Sequence, residues 1–340
     1  MTNKWRTVVS NRRPAGAFAL LAGVAGALIA VVLGFLTFGT QATVAPDGLP
    51  VAVAAPPGPL QAAANGIASH GGGQVSWRVA SPGEGRKLLE DKEVYGVLEL
   101  PSTVVVSGAV NPSGTQIAQQ VLTGAAQAMG GAPKVETLHP ASVAGRTAPL
   151  ALSALAWVGC LAAGAVLVLA GRRIGRDAGA GARFTQIVSA GVLVTGVLAG
   201  FLKLWDSALP LGWDVLGFLF LASTGFAALQ TGLLRLLGVR AMAILGPLYL
   251  VAPAVAGQVP ELLNPAYRAV LWSWTPFRFS AEGLRSLLQG VPGAPDVATG
   301  VWVLAGLLAA GLVLALWPGR SALQQTEADA PDRVVQVGVH

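Results

Sequence analysis

The stretch AGAFALLAGVAGALIAVVLGFLTFGT, residues 15–40, contains no acidic, basic or histidine side chain. A helix of this length and composition can cross the hydrocarbon core of a bilayer, which takes roughly 17–25 residues. Five further runs share both properties; they are residues 148–170, 184–202, 215–234, 241–260 and 297–318. The sequence therefore predicts an α-helical polytopic membrane protein with six transmembrane helices.

The composition narrows the chemistry that this chain can perform. Hydrophobic residues make up 53% of the sequence and charged residues 11%, against roughly 25% charged residues in typical soluble domains. Cys160 has no second cysteine to pair with, and His70, His139 and His340 have no cysteine or carboxylate at metal-ligand spacing. The glycine-rich GGGQVSW lacks the Lys-Ser/Thr pair of a phosphate-binding loop. We therefore expect no enzymatic activity, no metal or cofactor in this chain and no nucleic-acid partner.

The loop charges predict the orientation. Four cations precede the first apolar run, which is longer than the 7–15-residue core of a cleaved signal peptide, so it is interpreted as an uncleaved anchor. The loops on the side of the N-terminus are basic, with Asp177 as the only acid before the C-terminal tail. By the positive-inside rule, both termini are cytoplasmic and the protein lies in the cytoplasmic membrane. Residues 1–14 form a basic interfacial segment, and residues 319–340 form a disordered cytoplasmic tail.

This orientation places residues 41–147 outside the cytoplasm. LPVAVA (49–54) and VYGVLELPSTVVV (94–106) are rich in β-branched and apolar residues, and helical segments separate the predicted strands. The predicted order is β-α-β-α-β-β-α-β, with Ser113 as the N-cap of the last helix. We therefore expect an extracytoplasmic α/β domain inserted between transmembrane helices 1 and 2. The acidic cluster Glu90, Asp91 and Glu93 is interpreted as a solvated helix end rather than a metal site.

The last outer loop, residues 261–296, predicts a short amphipathic helix. Pro276 blocks helix continuation from upstream, and Ser280 is suited to cap the helix that follows. Glu282 can pair with Arg278 and Arg285, which are four and three residues away. Ala281, Leu284, Leu287 and Leu288 form one apolar face at helical spacing, and we expect the helix to dip into the outer membrane surface. The alternative is an interfacial loop anchored by tryptophans, without a role in transport.

Three stretches together resemble a known family. They are LPVAV after the first helix, YGVLELP followed by NPSGTQIAQQVLTGAA, and NPAYRAVLWSWTPFRFSAEGLRSLLQG at residues 264–290. The chain resembles the phage-infection-protein-like (YhgE/Pip) branch of the ABC-2-type permease superfamily over most of its length, although its outer domain is short for that branch. The resemblance implies a permease subunit, and it implies that the 276–290 helix helps to shape the outer mouth of a translocation path.

A partner must supply the energy for transport, since none of the six runs contains an ionisable residue that could couple transport to ions. The resemblance implies a separate cytoplasmic ATP-binding subunit that holds ATP. The loop GRRIGRDAGAGARF stands where ABC-2 permeases have a coupling loop, and Arg172, Arg173 and Arg176 are its candidate contacts. The alternative is an ordinary basic inside loop, because such loops are basic in most membrane proteins.

The first helix carries a stripe of small residues, Ala22, Gly26, Ala30 and Gly34, along which another helix can approach closely. The stripe can pack within one protomer or between two. Because permeases of the resembled superfamily act as pairs, we expect a homodimer, or a heterodimer with a similar subunit.

Two functions remain open at this point. The first is an exporter subunit that moves an apolar or amphipathic substrate. The second is a non-transporting envelope scaffold or receptor, of the phage-infection-protein or secretion-component type, whose outer domain binds a partner.

Overall fold

The computed structural model describes residues 15–70, 72–175 and 178–318 of the 340-residue chain. The predicted basic segment 1–14, Arg176 and the tail 319–340 lie outside the described residues. The helices are α1 (Ala15–Ala42), α2 (Pro59–His70), α3 (Pro82–Glu90), α4 (Pro112–Ala128), α5 (Val143–Arg173), α6 (Ala180–Trp205), α7 (Trp213–Leu237), α8 (Met242–Ala256), α9 (Pro265–Tyr267), α10 (Pro276–Leu288) and α11 (Pro295–Leu316). The strands are β1 (Leu49–Ala54), β2 (Val75–Ala80), β3 (Val97–Glu99), β4 (Thr103–Ser107) and β5 (Lys134–Leu138).

Five helical segments of the described chain are long and apolar enough to cross a membrane, judged by length and composition. Large apolar side chains on these segments face outward; Phe38, Trp213 and Trp302 are 79%, 89% and 78% exposed. Monomeric soluble proteins rarely expose so much contiguous apolar surface. These helices indicate a membrane-embedded protein. The segments are Ala19–Ala42, Val143–Arg173, Ala180–Trp205, Trp213–Ala256 and Pro295–Leu316.

The segment Trp213–Ala256 covers the predicted helix 215–234 and most of the predicted helix 241–260. A 3₁₀ turn, Gly238–Ala241, divides it into α7 and α8, and Gly238 has a φ of +60° that favours glycine. The chain reverses at this turn. Gln230 donates through Nε2 to the carbonyl of Trp157 at 3.1 Å, and the Trp157 indole donates to the carbonyl of Leu245 at 3.2 Å. Helix α8 therefore returns along α5, antiparallel to α7.

Helix α7 lies at the centre of the bundle, in contact with α5, α6, α10 and α11. It approaches α11 closely because Gly232 and Gly311 place no side chain between the two helices. A Cβ atom at Gly311 would lie 2.5 Å from the carbonyl carbon of Ala228. Glycines permit this close packing of helices in membrane proteins.

The two ends of the bundle differ. At one end, called the sheet end here, α1 leads into β1 and β5 leads into α5. The opposite end, called the arginine end, carries Arg172 and Arg173 at the end of α5 and Arg235 in the last turn of α7. Arg235 donates to the carbonyl of Leu314 at 2.8 Å, which ties the ends of α7 and α11 together.

The sheet has the strand order β2-β1-β3-β4-β5. All neighbouring strands are parallel except β3 and β4, which form an antiparallel pair. The order of strands and helices along residues 49–138 is the predicted one. One helix start differs, because Asn111 rather than Ser113 is the N-cap of α4; its Oδ1 accepts from the amide of Ser113 at 3.0 Å. The reason is Pro112, which suits the first helical position and so moves the cap one residue before it.

Helices cover both faces of this sheet. Ala64 of α2 and Leu122 of α4 pack on one face, and Leu89 of α3 packs on the other. Strand β1 is buried on both faces, so its near-continuous apolar sequence is what a central parallel strand requires. The core of the first face extends into the helical part through Val259 and Leu262, which therefore join the sheet to the bundle.

Candidate functional site at the sheet end of the bundle

Helix α10 begins at Pro276, since a proline suits the first turn of a helix, and the chain leaves it at Gly290 with a φ of +74°. The sequence predicted a cap at Ser280, but Thr275 is the N-cap residue and Ser280 lies inside the helix. Ser280 is fully buried, and its hydroxyl oxygen lies 2.8 Å from that of Ser153 on α5. A buried hydroxyl needs such a partner, so Ser280 fixes α10 against α5.

The bundle encloses α10. It contacts α5, α7, α8 and α11, and nine of its residues are buried. Ala281, Leu284, Leu287 and Leu288, the predicted apolar face, pack inside the bundle and not against the outer membrane surface, where the sequence analysis placed them. The apolar pattern itself is the same in both cases, because lipid and helix neighbours are equally apolar.

The position of Phe277 shows how deeply α10 reaches. The ring centroid of Phe277 lies 5.0 Å from that of Trp157 and 5.6 Å from that of Phe226. Trp157 is 14 residues beyond Val143, where α5 begins, which corresponds to about 21 Å along a helix. The start of α10 therefore lies near the middle of the bundle. Its other end returns to the sheet end, where Gln289 approaches Gly145 of α5.

Five charged side chains gather beside α10, and together they are called the junction cluster: Lys92, Arg278, Glu282, Arg285 and Asp296. Lys92 comes from the sheet part and contacts Asp296 and Ser286. The hydroxyl of Ser286 donates to Asp296 at 2.9 Å. Arg285 is only 4% exposed. The cluster therefore joins the sheet to α10 and to the first turn of α11.

Arg278 is the member of this cluster nearest to the start of α10, one residue after Phe277. Its guanidinium carbon is 3.7 Å from the ring centroid of Trp272, and its Nη1 lies 3.6 Å from a carboxylate oxygen of Glu282. Stacking on an aromatic face stabilises a guanidinium that has lost water. The predicted pairing of Arg278 with Glu282 is present, and it occurs inside the protein.

The sheet part presents two residues to the cluster from the loop that follows α3. Lys92 takes a left-handed φ of +59°, and Tyr95 packs against Gly114, where a Cβ would meet the Tyr95 ring at 2.5 Å. The Tyr95 hydroxyl donates to Glu261 at 2.9 Å. The backbone carbonyl of Glu261 accepts from the amide of Asp47 at 2.9 Å. These contacts hold the sheet in a defined orientation on the bundle.

Burial dominates the electrostatics of the two residues from the sheet part. It lowers the pKa of Lys92 despite the attraction of Asp296, because removing water disfavours the charged ammonium group. Burial, followed by the negative charge of Glu261, raises the pKa of Tyr95, so Tyr95 stays protonated and remains a hydrogen-bond donor to Glu261. The cluster thus combines charges with little water.

A cavity of about 170 Å³ lies within the junction cluster. All five members of the cluster line it, together with Tyr95, Asn111 and Trp272. A second cavity of about 280 Å³ lies beyond Pro260 and Trp272, and Glu261 and Arg268 line it. The sheet end of the bundle therefore contains partly open space, lined in part by charged side chains, between the two parts of the protein.

The other predicted site residues lie elsewhere. Arg172 and Arg173 are exposed at the arginine end, at the far end of α5 from the junction cluster. Ala22, Gly26 and Ala30 are exposed on α1 and Gly34 is half-buried; no described atom lies within 4 Å of a Cβ added at Gly26 or Gly34. Among the predicted site residues that the structure describes, Arg278, Glu282 and Arg285 come together in one cluster, and Pro276 begins their helix.

Sequence reasoning missed Lys92, Asn111 and Asp296 as members of this site. Lys92 stands inside the acidic run interpreted as a solvated helix end, and Asp296 was counted as an outer-loop charge. No local pattern links residues 92 and 296. The six predicted runs do lack ionisable residues, but the bundle does not, because α10 carries three of them into it.

Comparisons with known proteins give no relative. No family model matches the chain, and neither a curated protein nor a solved structure is significantly similar to it. Within the described ranges, no group of three or more histidine, cysteine, aspartate or glutamate residues is placed to hold a metal ion. The site must therefore be interpreted from its own geometry.

Proposed function

We propose that this chain is the membrane-spanning subunit of an ABC-2-type exporter, which moves an apolar or amphipathic substrate with energy from a separate ATPase. The observation that carries the proposal is α10, which begins near the middle of the bundle and returns to the sheet end before the last apolar helix. In the superfamily that the sequence resembles, a helix at this place shapes the outer mouth of the path. The enclosed position of α10 supports the same role here.

The proposal includes six transmembrane helices with both termini in the cytoplasm. The reversal at Gly238 supports counting Trp213–Ala256 as two spans, which α1, α5, α6 and α11 complete to six. The arginine end then faces the cytoplasm by the positive-inside rule. The sheet lies outside the cytoplasmic membrane in this arrangement and forms a vestibule above α10.

Thiol labelling in intact cells tests this topology. In a Cys160→Ala background, Gln61→Cys on the sheet part is expected to react with a membrane-impermeant maleimide. Gly181→Cys, at the start of α6, is expected to react only after the membrane is permeabilised. Both positions are exposed. Labelling of Gly181→Cys in intact cells, or protection of Gln61→Cys, would contradict the orientation.

The proposed ATPase docks at the arginine end. Arg172 and Arg173 are exposed there, and Arg176 follows them in sequence. Arginines in such a loop can make bidentate contacts with carboxylates of a partner.

Charge reversal tests this docking. In the triple variant Arg172→Glu, Arg173→Glu, Arg176→Glu, we expect the amount of the ATP-binding subunit that copurifies from native membranes in mild detergent to fall at least ten-fold. Quantitative mass spectrometry measures this amount. The introduced glutamates repel acidic residues of the partner. The helices keep their packing because Arg172 and Arg173 are exposed.

Lys87→Glu with Lys134→Glu is the matched control, since both lysines are exposed on the sheet part. This double variant is expected to retain the ATPase. If the wild-type protein carries no ATP-binding subunit but retains envelope proteins through its sheet part, the scaffold function replaces the exporter.

The proposed assembly is a homodimer, or a heterodimer with a similar subunit. Helix α1 supports it, because its most apolar window has no buried residue and its small-residue stripe faces away from the rest of the described chain. The transport path would lie between the two subunits, since aromatic packing of Trp157, Phe226 and Phe277 fills the middle of one bundle.

A further inference from the structure

The cavity in the junction cluster has an excess of positive charge. Its walls carry three cations, Lys92, Arg278 and Arg285, and two carboxylates, Glu282 and Asp296, which leaves one positive charge over. The neighbouring cavity is lined by Asp47, Glu261 and Arg268 and has one negative charge over, so the positive excess is confined to the cavity in the junction cluster. An uncompensated charge is costly where water is scarce, so this excess favours a bound negative group.

The unsatisfied hydrogen-bonding groups on its walls are donors. Asn111 is 7% exposed, and its Nδ2 has no acceptor among the described residues; the same holds for Nε of Arg278 and of Arg285. The orientation of the Asn111 amide is fixed, because its Oδ1 accepts from the amide and the hydroxyl of Ser113 at 3.0 and 2.9 Å. Its Nδ2 group is therefore the end of the amide that is left without a partner.

The carboxylates around the cavity do not accept from these three donors. Asp296 accepts from Ser286 and pairs with Lys92, and Glu282 pairs with Arg278. A buried donor that is left unpaired destabilises the folded protein. What the cavity lacks is thus an acceptor that carries negative charge.

We infer that this cavity binds an oxyanion, namely a carboxylate or a phosphate group, held by Arg285, Arg278 and the Asn111 amide. Arginine side chains suit such a group because their donors match two of its oxygens at once. The volume of about 170 Å³ is sufficient, since a single water needs only about 10–15 Å³. The group comes either from a free small anion or from the headgroup of an anionic lipid. The inference does not rest on the exporter proposal.

The substitution Asn111→Asp is the sharpest test. It replaces the unpartnered donor with a carboxylate oxygen, so the protein itself supplies the missing negative charge. Aspartate caps a helix as well as asparagine does, so α4 is expected to remain intact. The variant is expected to fold and to lose anion binding.

The experiment measures the thermal unfolding of the full-length protein in neutral detergent while inorganic phosphate or acetate is titrated against chloride at constant ionic strength. The wild-type protein is expected to show a saturable rise in Tm of about 2–4 °C, and Asn111→Asp is expected to show none. In a second arm, native mass spectrometry counts phosphatidylglycerol retained from mixed nanodiscs. If the wild-type protein retains more of this lipid than Asn111→Asp does, the bound oxyanion is the lipid headgroup.

The inference is wrong if the wild-type protein and Asn111→Asp show the same change in Tm and retain the same amount of phosphatidylglycerol. This holds whether both proteins respond or neither does. Arg285→Gln, which removes the charge but keeps a donor, provides the same comparison if Asn111→Asp does not fold. Lys87→Gln, at an exposed position on α3, removes a positive charge away from the cavity and is expected to respond like the wild-type protein.

Discussion

Replacing Gly311 by valine is expected to destabilise the helical bundle by about 3 kcal/mol or more. Any Cβ at this position lies 2.5 Å from the carbonyl carbon of Ala228 and against the amide nitrogen of Leu229. Backbone atoms of a helix cannot rotate away as a side chain can. Helices α7 and α11 would therefore have to separate, although α7 is the centre of the bundle.

Cys160 provides the measurement. It is the only cysteine of the chain, and it is fully buried against the carbonyl of Ser223 on α7. A fluorogenic maleimide therefore reports the temperature at which the bundle opens. We expect Gly311→Val to lower this temperature by about 6 °C or more.

Gly306→Val is the matched control. Gly306 lies on the same helix, is exposed, and has no described atom within 4 Å of a Cβ built on it. The two variants share the same change in helix propensity, so their difference isolates the contact with α7. Equal losses of stability in both would contradict the close approach of α7 and α11.

Lys92→Met is expected to destabilise the attachment of the sheet to the bundle by about 3 kcal/mol, because removing one partner breaks the buried ion pair that joins the sheet to α11. The side chains of Lys92 and Asp296 are 16% and 15% exposed. Limited proteolysis measures the effect, since the connecting segments near Thr43 and Pro140 are exposed and gain the freedom to fit a protease when the sheet part loosens. We expect cleavage there to become several-fold faster than in the wild-type protein.

Removing both charges distinguishes this explanation from a simple loss of packing. The double variant Lys92→Met, Asp296→Leu is expected to regain most of the resistance to proteolysis, since a well-packed apolar pair often replaces a buried ion pair without loss. Lys87→Met, an exposed lysine on the neighbouring helix, is expected to behave like the wild-type protein. A double variant that is cleaved faster than Lys92→Met would exclude the ion pair as the cause.

The local features of this protein could be read from its sequence. The strands appear as short apolar, β-branched runs, and the helix from Pro276 appears as an apolar face at helical spacing. The surroundings of that helix could not be read, because an apolar face is the same whether lipid or Phe218 and Trp157 lie against it. The burial of Arg285 was missed for a related reason. Arg285 shares its cavity with residues 92, 111 and 296, which only the folded chain brings together.

The antiparallel pairing of β3 with β4 has a consequence for how such a protein can change over evolution. Strands β4 and β5 run in the opposite direction to β1, β2 and β3. The chain therefore enters the sheet at Leu49 and leaves it at Leu138 at the same end of the strands. In an all-parallel sheet the last strand would end at the opposite end of the sheet, and a long connection would have to bring the chain back to the bundle. Residues 49–138 can therefore be exchanged for another module, or lost, by joining α1 to α5 through a short linker, and the membrane helices keep their connections.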